Sequence, residues 1–322
     1  MTLPNPEDLR WYVVRLDLTD QIGIVTSRTI ALTQGPFGWG EAAPLVGADD
    51  RSSAAVRERY RALRTAISAA HGPWPLPVRQ SVPVNATVPA IAPPIVESYV
   101  ERHRLHEYPA VKVKGGDADT VDRVAAMRSA LGPRVAIRVD ANGAWTPSEA
   151  GHMLRRLQHF DLDYVEDPVA SMADLLDLRT RHTRDDVRLA ADQLVPDVAT
   201  ARRLRQERAA DVLVIKPALL GDFDTVRQIV EMVGLPVVVT SVLGSSVGLS
   251  MDVAVACALA NLWGPCGLNT AGFLQEDVTS DRLLPWSASI EPRAITPDPS
   301  VLDRASTDPT QLRHLGVLPR RA

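Results

Sequence analysis

Five charged residues recur at matched intervals through the middle of the chain: Lys114, Asp140, Glu166, Asp192 and Lys216. Each closes a short run of β-type residues, AVKVK, VAIRVD, DYVE, VRLAAD and VLVIK. Lys112 and Arg138 stand two residues earlier in the first two runs, so the period of an extended strand points them the same way as Lys114 and Asp140. Taken singly, Asp140 or Asp192 reads equally well as a helix N-cap. Five such charges at one spacing are a poor fit to unrelated caps. Three neighbouring carboxylates raise one another's pKa unless a cation lies among them. Ligation by Asp140, Glu166 and Asp192 through oxygen alone suits a hard ion, Mg2+ or Mn2+, rather than zinc, because no histidine or cysteine stands at these strand ends.

Lys112, Lys114 and such an ion are like charges at close range, which lowers the pKa of Lys114 toward that of a general base. The chemistry this supports is proton abstraction beside a carboxylate. That carbon acid is weak, so the double negative charge that develops must be neutralised as it forms.

The same spacing dictates the elements that position these residues. Strand-like runs end at Val88, Lys114, Asp140, Glu166, Asp192, Lys216 and Ser241, 24 to 26 residues apart. Between them lie segments of helical periodicity, such as DADTVDRVAAMRSAL and TPSEAGHMLRRLQHF, opened by Asp or Thr in the manner of N-caps. An eighth beat falls at Cys266 to Thr270, so the predicted class is α/β, a (β/α)8-type barrel. A dinucleotide-binding sheet would need a glycine-rich turn after the first strand, where PAIAPP stands instead. In such a barrel the five charges share the C-terminal rim, where active sites are built.

The barrel is expected over residues 79–289. Residues 1–78 read as a small α+β domain: strands WYVVRLDLT and GIVTSRTIALTQ, a turn-rich FGWGEAAPL, a helix from Asp49 or Asp50 to about Ala70, and a Pro-rich linker, HGPWPLP. Residues 290–322 turn Pro-rich and are expected to pack back on the first domain.

Composition narrows the partners. The 322 residues are 45% apolar and 23% charged with a net charge of −4 and no basic tract, which sets nucleic acid aside. Two cysteines, Cys257 and Cys266, make no disulfide framework and suit a reducing compartment. The N-terminus, MTLPNPEDLRWY, has no signal-peptide pattern, and the longest apolar run, near Val253 to Leu262, falls short of the ~20 residues a membrane span needs. A cytoplasmic protein acting on a small carboxylate, away from membranes, is expected.

These motifs, VKVK, RVDANGAW, YVEDP, AADQ, VIKP and GWGEAAPL, resemble in order and spacing those of the enolase superfamily, over nearly the whole chain. The lysines on the second and sixth strands are similar to those of its muconate-lactonizing subgroup. The resemblance implies a modified TIM barrel under an N-terminal capping domain, with Asp140, Glu166 and Asp192 as ligands, Lys114 as base and Lys216 as its counterpart. Within the subgroup, TSVLGSSVGL and CGLNTAGFL point to a dehydratase of menaquinone biosynthesis. The implied reaction is syn loss of water from 2-succinyl-6-hydroxy-2,4-cyclohexadiene-1-carboxylate, with Lys216 placing its ammonium over the ring.

Substrate contacts are expected from Ser241, Gly244, Ser245 and Ser246, whose amides and hydroxyls at a helix N-terminus suit the succinyl carboxylate; the other reading is a tight turn with an N-cap. Asn142 either bonds substrate or shapes its turn. Arg138 either reaches the ring carboxylate through water or neutralises Asp140.

The competing outcome on the same fold is an isomerase, such as an N-succinylamino acid racemase, in which the two lysines exchange protons on opposite faces. Gly267 to Thr270 has no acid for a dipeptide ammonium, and Thr240 to Ser246 has no histidine of the kind that sugar-acid dehydratases of the superfamily use. A Schiff-base aldolase using Lys216 would leave three carboxylates unexplained. His103, His106, His152, His159 and His182 fall in or beside predicted helices and read as surface residues.

Overall fold

The computed structural model describes residues 3–22, 25–47, 49–181 and 187–316; His182 lies outside them. The N-terminal unit is an antiparallel sheet of β1 (Trp11–Ile22), β2 (Val25–Gly35) and β3 (Gly38–Ala42) backed by α1 (Ser53–His71). Trp11, Val13, Ala31 and Ala42 face Ala62, Leu63, Ala66 and Ile67 of the helix. The GWGEA segment expected as a turn is β3 itself, paired with β2 from Gly35–Gly38 to Ala31–Ala42. Its glycines had masked it. At Gly40 a Cβ would fall 1.8 Å from the Ala66 carbonyl oxygen, so the bare backbone lets strand and helix close on each other. The helix starts at Ser53, where the Ser52 hydroxyl accepts from the Ala55 amide.

The barrel follows as β4 (Val82–Pro83), β5 (Ala86–Val88), α2 (Val96–Arg102), β6 (Ala110–Lys114), α3 (Thr120–Leu131), β7 (Ala136–Asp140), α4 (Pro147–Leu157), β8 (Leu162–Glu166), α5 (Met172–Arg181), β9 (Leu189–Ala191), α6 (Val198–Glu207), β10 (Val212–Ile215), α7 (Phe223–Val233), β11 (Val237–Val239) and α8 (Ser246–Ala258). Strands β5 to β11 form one parallel sheet in chain order. Its edges meet through Cys266 and Gly267, which bridge Val84 on one side and Thr240 on the other. The Cys266 amide donates to Pro83 O at 2.7 Å and the Gly267 amide to Val239 O at 2.8 Å. The expected eighth strand is therefore a short bridge, preceded by Pro265, which has no amide to extend the ladder. The first expected strand is split, since Val82–Pro83 pairs with β12 (Ser289–Ile290) and only Ala86–Val88 joins β6.

The helices return the chain with caps that the sequence supplies: Thr146 and Glu149 make a capping box on α4, and Asp197 and Asp222 accept from Thr200 and Thr225 on α6 and α7. The chain ends in α9 (Pro299–Arg304) and α10 (Pro309–His314). Val13 and Ser306 exchange backbone hydrogen bonds of 2.9 Å, and Leu315 packs with Trp11 and Leu63. His103, His106, His152 and His159 are exposed. No helix among the described residues is long and apolar enough to cross a membrane.

Candidate active site

The register of the parallel sheet sets the site. Lys114 of β6 stands beside Asp140 of β7, which stands beside Glu166 of β8. Asp192 and Lys216 are the first residues beyond β9 and β10. In the ring of eight positions β6 and β10 are four places apart, so Lys114 and Lys216 rise from opposite walls. Both line a cavity of about 190 Å³ that also touches Lys112, Asp140, Asp192 and Ser241.

Charge pairing inside the rim is dense. Lys112 Nζ donates to Asp140 Oδ2 at 3.0 Å and Glu166 Oε1 at 3.3 Å. Lys114 Nζ donates to the same Asp140 oxygen at 2.7 Å and to Asn142 Oδ1 at 3.3 Å, and Lys216 pairs with Asp192. Burial disfavours the Lys112 ammonium, but the charges of Asp140 and Glu166 outweigh it and hold its pKa above the ordinary value. Burial likewise works against the Asp140 carboxylate, and the two lysines overcome it and hold its pKa below the usual range. For Lys216 burial wins, aided by the nearby charge of Lys112, and its pKa falls to about 8.

Among the described residues no three acidic, histidine or cysteine side chains are already gathered about one point; Asp140, Glu166 and Asp192 each turn to an ammonium group instead. The donor set nevertheless fits a hard cation. All the oxygens are carboxylate, Glu166 is 1% exposed, and its Oε2 is buried without a hydrogen-bond partner among the described residues.

Several expected substrate contacts are engaged elsewhere. Ser245 is the N-cap of α8, accepting from the Val247 amide, and Glu41 of β3 covers this helix end. Glu41 Oε1 and Oε2 each accept from the Ser245 amide at 3.2 Å, and Oε2 accepts from the Ser245 hydroxyl and, at 3.3 Å, the Gly248 amide. The Ser246 amide and hydroxyl go to Asp277 at 3.1 and 2.6 Å. Gly244 is the space into which Glu41 fits, since a Cβ there would lie 2.0 Å from Glu41 Oε1. At the helix N-terminus expected to hold a substrate carboxylate, Ser245 is an N-cap and the amides of Ser245 and Ser246 bond the protein's own Glu41 and Asp277. Ser241 does line the cavity, its hydroxyl 2.6 Å from that of Thr270.

Arg138 lies deeper in the barrel, fully buried. Its Nε donates to Asp163 Oδ2 at 2.8 Å, its Nη1 to Pro265 O at 2.6 Å, and its guanidinium carbon sits 4.8 Å from the Tyr164 ring centroid. It neither pairs with Asp140 nor reaches the cavity. Strand periodicity gave its facing but not its depth. Asn142, at φ +49°, shapes its turn through Asp140 and also meets Lys114 at the cavity wall.

Two residues were not singled out from the sequence. Asp167, at φ +40°, accepts from the Asp192 and Gln193 amides at 3.0 and 2.9 Å and so fixes the end of β9. Burial and the neighbouring charge of Glu166 raise its pKa to about 7. The paired acids of YVEDP were the available signal. Glu41 sits within GWGEAAPL, and nothing local in the sequence reveals a partner 204 residues away.

Residues 95–293 match the family model of the enolase C-terminal domain-like group. The chain is 38% identical to an o-succinylbenzoate synthase of Thermobifida fusca over 287 residues, 88% of each chain. It is 36% identical to the o-succinylbenzoate synthase of Mycobacterium marinum over 99% of this chain and 92% of that one. Among solved structures the N-succinyl Arg/Lys racemase of Bacillus cereus superimposes with a TM-score of 0.78 at 19% identity, covering 93% of this chain and 97% of that one, a likeness of fold. With an enolase-type barrel, a capping unit and near-full-length identity of this order, the chain belongs to the enolase superfamily and, within it, to the o-succinylbenzoate synthase family of lyases.

Proposed function

We propose that this chain catalyses the o-succinylbenzoate synthase reaction, the syn-dehydration of 2-succinyl-6-hydroxy-2,4-cyclohexadiene-1-carboxylate, as a cytoplasmic enzyme of menaquinone biosynthesis. The observation that carries the reading is the placement of Lys114 and Lys216 on opposite walls of one cavity beside Asp140 and Asp192. Identity of 36 to 38% to synthases of two organisms selects this reaction among those the site could run. Residues 1–78 then act as the cap, 79–289 as the barrel that holds the site, and 290–322 as the segment returning to the cap.

Lys114, acting as the base, takes the proton from the ring carbon that bears the carboxylate. Asp140 and Asn142 hold its nitrogen in place. Asp140, Glu166 and Asp192 would hold a divalent ion, Mg2+ or Mn2+, which would supply the positive charge that neutralises the substrate carboxylate. The carbon–oxygen bond at ring position 6 then breaks, Lys114 returns its proton to the departing hydroxide, and the ring becomes aromatic. Proton and leaving group lie on one face, so one lysine serves both steps. Lys216 transfers no proton here and faces the ring from the far wall, a cation–π contact of ~1 to 2 kcal/mol when desolvated. Lys112, buried between Asp140 and Glu166, donates to both and helps hold Asp140 below the usual carboxylate range.

A second reading rests on the same opposed lysines: proton exchange on both faces of an N-succinyl amino acid. The test is loss of the diene's absorbance run beside a chirality assay on N-succinyl amino acids. Rapid metal-dependent loss of the diene supports the dehydration, while racemisation without diene turnover moves the function to the isomerase branch.

A further inference from the structure

The turn that follows Lys216 is gripped by a helix of the N-terminal unit. It runs through Pro217–Leu219 to Gly221, whose φ of +102° is a glycine conformation, and to Asp222, the cap of α7. Arg61, Arg64 and Thr65 of α1 present one face to it at i, i+3 and i+4. Arg61 Nε donates to Leu219 O at 2.8 Å, and Arg64 Nε and Nη2 reach Asp222 Oδ2 at 2.8 and 2.6 Å. Thr65 Oγ1 accepts from the Gly221 amide at 3.0 Å in a buried setting, with its one proton shared between Arg61 O at 3.1 Å and Pro217 O at 3.4 Å.

On its other side the turn meets α8. Asp252, 2% exposed, accepts from the Ala218 amide, and its Oδ1 has no hydrogen-bond partner among the described residues. Burial and the charge of Glu41 push its carboxyl well above the ordinary value. The turn is therefore fixed between a helix of the cap and a helix of the barrel. Lys216 is the residue immediately before it, and a displacement of about 1 Å in a positioned group costs as much as a hundredfold in rate.

We propose that Thr65 is a positioning residue for the reaction: through the Pro217–Gly221 turn it fixes the backbone from which Lys216 reaches the cavity, so the cap contributes to the chemical step as well as covering it. This rests on the role given to Lys216 above.

The test uses the full chain loaded with Mg2+ and the cyclohexadiene substrate. Thr65→Val keeps the shape and removes the hydroxyl, leaving the Gly221 amide buried and unpaired. It should lower kcat about tenfold with KM within about twofold, and Thr65→Ser should restore most of the loss. A Thr65→Val kcat within about twofold of the parent, or a Thr65→Ser variant as impaired as Thr65→Val, overturns the proposal. If Thr65→Val does not accumulate folded, Arg61→Met removes a second hold on the same turn and is read the same way. Lys216→Ala separates the two levels. Full activity there overturns the role of Lys216, whereas an inactive Lys216→Ala beside a fully active Thr65→Val overturns only the positioning role.

Discussion

Glu41 accepts hydrogen bonds from Ser245, 204 residues further along the chain, and so ties the third strand of the cap to the helix that follows barrel strand β11. The carboxyl is 4% exposed, faces Asp277 and Asp252 as well as Arg28, and burial raises its pKa to about 7 against the ordinary 4.5. Between those values the folded chain keeps a proton that the unfolded chain has released. Stability therefore falls as pH rises from about 4.5 to about 7 and stays lower above that, by ~3 kcal/mol for this group alone. Glu41→Gln removes the titration. Its melting temperature relative to the parent should climb between pH 5 and pH 8, and a constant difference across that range would contradict the assignment.

Arg138 holds Asp163, Pro265 and the face of Tyr164 in the barrel interior. Arg138→Met leaves the Asp163 charge without its partner and should destabilise the fold by about 3 to 5 kcal/mol. Per folded molecule, KM for the substrate should be unchanged, because the guanidinium does not reach the cavity. Denaturant melts and steady-state kinetics on the same preparation check both, and a large rise in KM would restore the substrate-contact reading.

The divalent ion should be required for turnover. Treatment with a strong chelator should reduce the rate at least about a hundredfold, since charge neutralisation by a metal is worth several kcal/mol in such reactions. Added Mg2+ or Mn2+ should restore it, and Asp192→Asn should need more of either ion. Unaltered turnover after exhaustive chelation would remove the metal from the scheme.

The barrel was legible in the sequence because its signal is a period: Lys114, Asp140, Glu166, Asp192 and Lys216 end one β-type run after another, and a parallel sheet turns that spacing into adjacency at one rim. Lys112 was legible too, since a two-residue step puts it on the Lys114 face, where it bonds Asp140 and Glu166. Three things were not. The strand Gly38–Ala42 hides behind its glycines, which look like turn residues until the close approach of α1 is known. The helix end at Gly244 to Ser246 has the composition of an anion site, but whether the anion is a substrate or Glu41 depends on how the cap docks. Arg138 shares the inward face of Asp140, and periodicity carries no information on how far below the rim a side chain ends.

The most direct test is the rate of diene loss by the metal-loaded parent enzyme and by Lys114→Ala, with circular dichroism to confirm that both are folded. The expected result is fast turnover by the parent and a kcat lowered by about 10² to 10⁴-fold in the variant, as removal of a general base requires. Retained turnover by folded Lys114→Ala would contradict the assignment of Lys114 as the residue that moves the proton.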